Sequence, residues 1–185
     1  DDLLRRADRL IQSAQEAWDG KWYRRGYYED GTPLGSAQSD QCQIDSIAQS
    51  FALFPAGTDR KRGDEAVSAA LERLFDREAG VVRLFDPAFD SQGELDPGYI
   101  KGYPAGVREN GGQYTHASVW LALACFRLDR PNDGWAILKA LLPEGHRTEI
   151  YRAEPYVIAA DVSYAPGRVG RAGWSWYTGA AGWYW

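Results

Sequence analysis

The sequence contains no methionine, and only two cysteines and two histidines occur in its 185 residues. Without a methionine, residue 1 is not a translation start, so we expect the chain to be a piece of a longer protein. Cys42 and Cys125 lie far apart and fit neither a metal-ligand spacing nor a disulfide framework. Both fall on the apolar faces of predicted helices, so we predict two buried, reduced thiols and neither a metal nor a cofactor. Reduced thiols mildly favour the cytoplasm.

The sequence also lacks an excess of basic residues and a long apolar run. The net charge is −5 and the isoelectric point is near 5.1, which argues against nucleic acid or an anionic membrane as a partner, because both select basic surfaces. No apolar run approaches the length of a membrane-spanning helix, and the opening DDLLRRAD shows no signal peptide. At 185 residues the chain is about one domain, and we treat residues 1–185 as a single unit.

The residues that serve chemistry concentrate in positions 102–116, GYPAGVRENGGQYTH. This segment supplies Arg108, Glu109, Asn110, Gln113 and His116. It begins in glycine and proline, where regular structure does not persist, and continues into THASVWLALACF, whose apolar residues have helical spacing. A polar loop joined to a rigid buried helix is typical of a binding site. The alternative is a solvated loop followed by a capped helix.

Three helices are predicted in the first part of the chain. The first has an apolar stripe at Leu3, Ala7, Leu10, Ile11, Ala14 and Trp18 and ends at residues 19–20. The second, capped by Ser39 or Asp40, has an apolar stripe at Ile44, Ile47, Ala48, Phe51 and Ala52. The third follows Asp59 and presents Val67, Ala70, Leu71, Leu74 and Phe75. Between the first two, the aromatic segment 21–36 predicts a hairpin that turns at Asp30-Gly31.

Further along, VVRLF at residues 81–85 predicts a short strand, and a long loop leads from there to the polar segment. A fourth helix is predicted from about Gln113. A fifth begins at Pro131 and has an apolar stripe at Trp135, Leu138, Leu141 and Leu142. Helices joined alternately by short turns and long polar loops indicate helical hairpins whose long loops gather at one end.

The C-terminal segment WSWYTGAAGWYW suggests an anion site. Ser175 and Thr178 precede small residues, so a helix is predicted to begin near Thr178-Gly179 with its amide N–H groups exposed. If this end faces His116, a hydroxyl, backbone donors and an imidazole would together bind phosphate or sulfate. The alternative is an ordinary capped helix with tryptophans in the core.

Five segments, in this order and spacing, resemble one known family. They are WDGKWYRRGYYEDGTPLGS, QIDSIAQSFAL, LDPGYIKGYPAGVRENGGQYTHASVW, YRAEPYVIAADV and GRAGWSWYTGAAGW. They resemble the C-terminal half of the catalytic domain of glycoside hydrolase family 94, which includes cellobiose and chitobiose phosphorylases and the phosphorylase-like domain of cyclic β-1,2-glucan synthases. The resemblance implies an all-α fold, about half of an (α/α)6 barrel of helical hairpins with long functional loops and minor β-hairpin content. It also implies inverting phosphorolysis of β-linked gluco-oligosaccharides to α-glucose 1-phosphate.

The resemblance further implies roles for individual residues. His116, Thr178 and Gly179 match family positions that contact phosphate. Tyr103 and Arg108 match positions that contact the sugar on the leaving-group side, although related phosphorylases have lysine in place of Arg108, which keeps the charge and changes the hydrogen-bond geometry. Two more residues of the loop, Glu109 and Gln113, are assigned to the substrate site as part of its architecture.

No catalytic residue is assigned within the chain. The family's general acid is the aspartate of an Asp-Trp-Asn-Asp motif, which these 185 residues do not contain, so we expect it in an upstream half of the same polypeptide. Asp40, Asp45 and Asp161 are interpreted as helix caps or as solvated and structural acids. The expected partners are a β-linked gluco-oligosaccharide, inorganic phosphate, the upstream half and, for the isolated chain, a second copy. We expect the parent to be cytoplasmic, and to be attached to the inner membrane if it is a glucan synthase.

Two other functional classes stay open at this point. An inverting hydrolase of related α/α-barrel architecture would need a carboxylate base in place of the phosphate ligands, and the loop offers mainly Glu109. A non-catalytic carbohydrate-binding domain would use aromatic and acidic residues but would not need a histidine and a helix N-terminus that converge on an anion.

Overall fold

The computed structural model describes residues 2–93, 95–175 and 179–185, and most of its regular structure is helical. The helices are α1 (Asp2–Glu16), α2 (Ser46–Phe51), α3 (Arg60–Leu74), α4 (Thr115–Arg127), α5 (Pro131–Leu141), α6 (Thr148–Tyr151) and α7 (Ala180–Tyr184). Two 3₁₀ turns span Gly98–Gly102 and Pro143–Gly145. Long connections separate several of these helices, as the sequence predicts.

The strands are two residues each and form small antiparallel sheets. In chain order they are β1 (Gly26–Tyr27), β2 (Pro33–Leu34), β3 (Ile44–Asp45), β4 (Phe75–Asp76), β5 (Val81–Val82), β6 (Phe85–Asp86), β7 (Gln113–Tyr114), β8 (Asp161–Val162) and β9 (Ala172–Gly173). The pairs are β1 with β2, β3 with β6 and β4 with β5, while β7, β8 and β9 form one three-stranded sheet. The predicted hairpin is therefore confirmed, whereas the single strand predicted over residues 81–85 is two strands with different partners.

Local signals place the longer helices correctly. The Asp59 carboxylate accepts hydrogen bonds from the backbone N–H groups of Lys61 and Arg62 and so caps α3. Pro131 is the first residue of α5, where its missing N–H costs no hydrogen bond. Both helix starts agree with the sequence prediction.

The predicted start of the second helix is wrong. Ile44 and Asp45 are extended because they pair with Asp86 and Phe85 of β6, so α2 begins only at Ser46 and Asp45, rather than Ser39 or Asp40, is its cap. Cys42 lies in the segment before β3, at a φ of 46°, rather than on a helix. Its side chain is nevertheless 2% exposed.

The main core lies between α2, α3, α4 and α5. It includes Ala66, Val67, Ala70 and Leu74 of α3, Leu121, Ala124 and Cys125 of α4, and Ile137 and Leu141 of α5. Helix α4 is buried on most of its surface, which matches its almost continuous apolar sequence. The site-bearing loop therefore leads into the most enclosed helix of the described structure.

Two apolar surfaces are exposed where the sequence predicts burial. Helix α1 has no buried residue, and its Leu3, Leu4 and Leu10 are 75%, 66% and 72% exposed. On α5, Trp135 is 55% exposed, although it falls on the predicted apolar stripe, so that part of the prediction is wrong. Across the described residues, no helix has both the length and the hydrophobicity that crossing a bilayer would require.

Candidate functional site

A buried amide holds the polar loop of residues 102–112 in place. Asn110 is fully buried, and its Oδ1 accepts a hydrogen bond from the Phe89 N–H at 2.8 Å. Its Nδ2 donates to the Phe89 carbonyl at 3.0 Å and to the Tyr103 carbonyl at 2.8 Å. Because these bonds replace backbone pairing that a loop lacks, Asn110 fixes the loop rather than contacting a ligand.

Gly106 attaches the same loop to the segment that follows β8. Its carbonyl accepts a hydrogen bond from the Tyr164 N–H at 2.7 Å. The residue has a φ of 79°, and a Cβ placed on it would lie 2.5 Å from the Ala165 nitrogen. Only glycine fits this close approach of two backbones.

Arg108 lies at the centre of a cluster that contains the predicted sugar ligands. Its guanidinium carbon is 5.5 Å from the Tyr103 ring centroid and 4.8 Å from that of Trp174, distances typical of cation–π contacts. Its Nε is 3.4 Å from Oε2 of Glu109, and its Nη1 is 3.9 Å from Oδ1 of Asp161. The structure therefore brings Tyr103, Arg108 and Glu109 together.

The charges within this cluster are coupled. Burial works to lower the pKa of Arg108, but the negative charges of Glu109 and Asp161 raise it above its ordinary value, so the guanidinium stays cationic. Burial raises the pKa of Asp161, Arg108 opposes this effect and Glu109 adds to it. Asp161 is 4% exposed, and its Oδ1 accepts no hydrogen bond from the described residues.

Asp161 was not predicted as a site residue. It sits in β8, where it pairs with Tyr114 on one side and Gly173 on the other. A Cβ on Gly173 would lie 2.8 Å from Oδ2 of Asp161, so the missing side chain leaves room for the carboxylate. Sequence alone gives only a weak signal for this position, namely an acid in an otherwise apolar segment.

A cavity of about 470 Å³ opens beside Glu109, within the size range of small-molecule sites. Four tyrosines line it: Tyr27, Tyr28, Tyr99 and Tyr114. Its charged lining residues are Arg25, Asp45, Asp96 and Glu109. Flat rings next to carboxylates suit a ligand with both apolar faces and hydroxyl groups.

Two lining residues of the cavity were not predicted as ligands although their environments are unusual. The Tyr28 hydroxyl is buried and has no hydrogen-bond partner among the described residues. Asp45 uses Oδ1 to cap α2, and its Oδ2 lies 3.8 Å from the Arg25 Nε. Burial raises the pKa of Asp45, while Arg25 opposes the shift. The interpretation of Asp45 as a helix cap is confirmed.

His116 is half-buried in the first turn of α4. Its ring centroid is 6.1 Å from that of Tyr114, with an angle of 28° between the ring planes, and 5.9 Å from that of Trp120. A Cβ placed on Gly179 would lie 3.6 Å from the His116 Nε2, so the Gly179 backbone faces the imidazole. Thr178, the third predicted phosphate ligand, lies outside the described residues.

Helix α7 starts near the predicted place but offers little as an anion site by itself. It begins at Ala180 after the N-cap Gly179, has no side-chain cap and contains only five residues. The dipole of so short a helix is small. Any anion affinity must therefore depend on His116 and neighbouring donors.

Gln113 is placed away from the cavity. It is 1% exposed, and its Oε1 accepts a hydrogen bond from the Val82 N–H at 2.9 Å. This bond ties β7 to β5 and so supports the strand from which His116 emerges. The described residues contain no cluster of three or more His, Cys, Asp or Glu side chains that could hold a metal ion.

Comparison with known proteins identifies what the chain resembles. The sequence profile of the glycosyl hydrolase 94 superfamily, catalytic domain, matches residues 2–185. The chain is 49% identical over 174 residues to the cyclic β-(1,2)-glucan synthase NdvB of Rhizobium meliloti, covering 91% of this chain and 6% of that protein. It is 30% identical over 174 residues to the N,N'-diacetylchitobiose phosphorylase of Vibrio proteolyticus, covering 90% of this chain and 21% of that enzyme. The chain thus spans only a small part of either relative.

Proposed function

We propose that this chain, which belongs to the glycosyl hydrolase 94 superfamily, supplies the residues that bind phosphate and sugar in a glycoside phosphorylase. The superfamily's catalytic domain is an (α/α)6 barrel, and the helical chain described above is a part of it. The parent enzyme would cleave or form β-glucosidic bonds by inverting phosphorolysis. It would convert a β-linked gluco-oligosaccharide and phosphate into α-glucose 1-phosphate and a shortened acceptor.

The reaction explains why anion and sugar ligands must adjoin. A carboxylic acid protonates the glycosidic oxygen, which leaves with the acceptor, while a phosphate oxygen attacks the anomeric carbon from the opposite face and inverts it. Phosphate is already a nucleophile and needs no base to activate it. The protein must hold the phosphate in line and stabilise its charge.

The observation that carries the proposal is the position of Tyr114. Its side chain lines the cavity that contains Glu109, and its ring lies against His116, which faces Gly179. A phosphate held by His116 and the Gly179 backbone would therefore lie next to a sugar in the cavity. The Arg108 and Tyr103 cluster would bind the leaving-group side.

The identity to NdvB favours a glucan synthase as the parent. We assign this chain to the phosphorylase-like domain of such a protein, in the cytoplasm and attached to the inner membrane through segments outside these 185 residues. The proton donor would come from the upstream half of the barrel. Phosphorolysis by the isolated chain should accordingly be absent, because loss of general-acid assistance costs a factor of about 10² to 10⁴.

Phosphate binding is the direct test, and the chain's two histidines provide an internal control. Titration with inorganic phosphate should shift the imidazole C–H resonances of His116 in NMR spectra and leave those of His146 unchanged. His116→Ala should weaken phosphate binding about tenfold or more, as expected for loss of a charge-assisted hydrogen bond. Equal shifts of both histidines, or robust release of glucose 1-phosphate by these 185 residues, would contradict the proposal.

The carboxylates of the cavity support a second candidate function, that of an inverting hydrolase. Three carboxylates line the cavity, Asp45, Asp96 and Glu109, and an inverting hydrolase needs one carboxylate base to activate water. The two functions differ in their dependence on phosphate. A parent enzyme that degrades its glucan at the same rate with and without phosphate would be a hydrolase.

A further inference from the structure

A second groove lies between α5, the turn that joins β4 to β5, and the 3₁₀ turn after α5. Its volume is about 500 Å³, and none of its lining residues lines the cavity of Glu109 and Tyr114. Helix α5 contributes one face, at Asn132, Trp135, Ala136, Lys139 and Ala140. These positions follow the spacing of a single helical stripe. The groove is therefore a separate surface feature.

Several of the residues that line the groove are small and leave room for a ring. Ala79 and Gly80 come from the turn between β4 and β5, and Ala136 and Ala140 come from α5. Along one side, Trp135 exposes 55% of its surface to solvent. An exposed indole beside small apolar residues can stack on the C–H face of a ring.

His146, another lining residue of the groove, provides a hydrogen-bond acceptor. Its Nε2 lies 2.8 Å from the Ala140 carbonyl, so Nε2 must carry the proton and donate. Burial lowers the pKa of the imidazole, although this hydrogen bond opposes the shift, so the ring is neutral and its Nδ1 is an acceptor. A Cβ on Gly80 would lie 3.9 Å from that Nδ1. The ring is fixed by stacking on Tyr151, at 4.6 Å between centroids.

The rim combines opposite charges with an amide. Arg77 pairs with Asp133 at 3.0 Å and lies over the Phe75 ring, and Asp133 also pairs with Arg130 at 2.8 Å. The side chains of Lys139 and Glu78 form no ion pair with any described residue. One free cation, one free carboxylate and the Asn132 amide offer donors and acceptors without a net charge. This set suits a neutral, hydroxyl-rich ligand better than an anion or an apolar molecule.

We propose that this groove, the Trp135 groove, is a second carbohydrate-binding site that holds a neutral gluco-oligosaccharide away from the reaction cavity. Trp135 stacks on a pyranose face, while Asn132, Lys139, Glu78 and the Nδ1 of His146 bind its hydroxyl groups. The stereochemical class of the ligand, a β-linked glucan, rests on the proposed function. The site would keep a long glucan attached to the protein while another part of it occupies the cavity.

The test is an NMR titration of the isotope-labelled chain with a β-1,2-linked glucose trisaccharide. We expect the Trp135 indole N–H, the Gly80 amide and the Asn132 side-chain amide to shift together. Sorbitol, which carries hydroxyl groups but no ring, should leave them unchanged. Trp135→Ala should weaken binding at Gly80 and Asn132 about tenfold, the effect expected for one lost aromatic contact, and Trp135→Phe should keep part of it. Trp185→Ala, the same change at an exposed tryptophan elsewhere, should have no effect.

The outcomes separate this inference from the proposed function. Shifts at Tyr114 and Glu109 without shifts in the Trp135 groove would overturn the inference and leave the function standing. Shifts in the groove alone would support the inference and count against sugar binding in the cavity. Equal losses in Trp135→Ala and Trp185→Ala would overturn the inference, as would equal shifts with sorbitol.

Discussion

At the scale of single residues, the pKa values of two carboxyl groups, Asp161 and Asp76, are shifted in opposite directions. Burial raises the pKa of Asp161, whereas the pKa of Asp76 is lowered, first by the Ala79 N–H and also by the Tyr164 hydroxyl, which donates to it at 2.8 Å. The two carboxyls should therefore affect stability in opposite directions as pH changes.

For Asp161, the folded state binds its proton more tightly than the unfolded state does. Its contribution to stability is present below the unfolded pKa of 3.8 and is lost as the pH rises through the higher folded pKa. We therefore predict that the stability of the wild type relative to Asp161→Asn is greater at pH 4.5 than at pH 7. Urea unfolding at both pH values measures this difference.

Asp76→Asn provides the matched comparison. The contribution of Asp76 is present above its unfolded pKa of 3.8 and is lost as the pH falls through its lower folded pKa. The advantage of the wild type over this variant should hold from pH 7 to pH 4.5 and shrink only below about pH 4. If the stability difference between wild type and variant changed with pH in the same way for both variants, the raised pKa of Asp161 would be wrong.

A second prediction at the residue scale concerns the reactivity of the two thiols. Cys42 and Cys125 are unpaired and are 2% and 0% exposed, so the prediction of two buried free thiols is confirmed. Burial raises the pKa of both, that of Cys125 to about 12. Thiol reagents should react slowly with the native protein and count two thiols after unfolding, because only the exposed thiolate reacts. A count of zero in unfolded protein without reductant would contradict this result.

At the scale of elements, the loop of residues 102–112 depends on close backbone contact. Gly106→Ala should lower the free energy of unfolding by about 2 to 4 kcal/mol, because the methyl group meets the backbone at Tyr164 and Ala165 and the positive φ is strained. Gly102→Ala is the control in the same segment, since a Cβ there meets nothing within 4 Å. It should change stability by less than about 0.5 kcal/mol. Equal losses in the two variants would refute the proposed backbone contact as the cause.

At the scale of the whole molecule, α1 exposes much of its apolar stripe to solvent, and none of its residues is buried. Leu3 and Leu10 are largely exposed, and water disfavours such surface at about 25 cal/mol per Å². We predict that the isolated chain self-associates through α1, so that its molar mass in sedimentation experiments rises with concentration. Leu3→Gln combined with Leu10→Gln should give a monomer.

The control for this prediction lies on the same helix. Arg5→Gln combined with Arg9→Gln changes two exposed polar positions of α1 and should leave the association intact. A wild-type chain that sediments as a monomer at every concentration would show that the stripe does not drive association.

Local chemistry in the sequence determined much of the architecture. Helix α3 begins where Asp59 can cap it, α5 begins at Pro131, and the hairpin of β1 and β2 turns at Gly31. These signals act over a few residues, so tertiary packing has little to alter. The same ordered motifs identified the family, which the profile match confirms.

Only the tertiary structure decided which side chains meet. Pairing of β3 with β6 delayed α2 to Ser46, and packing turned Trp135 outward from a stripe that predicts burial. Arg108 gained Asp161 and Trp174 as neighbours because β8 and β9 pair beside the loop. Such contacts join distant parts of the chain, and their free energy depends on burial and strand register, which local periodicity does not encode.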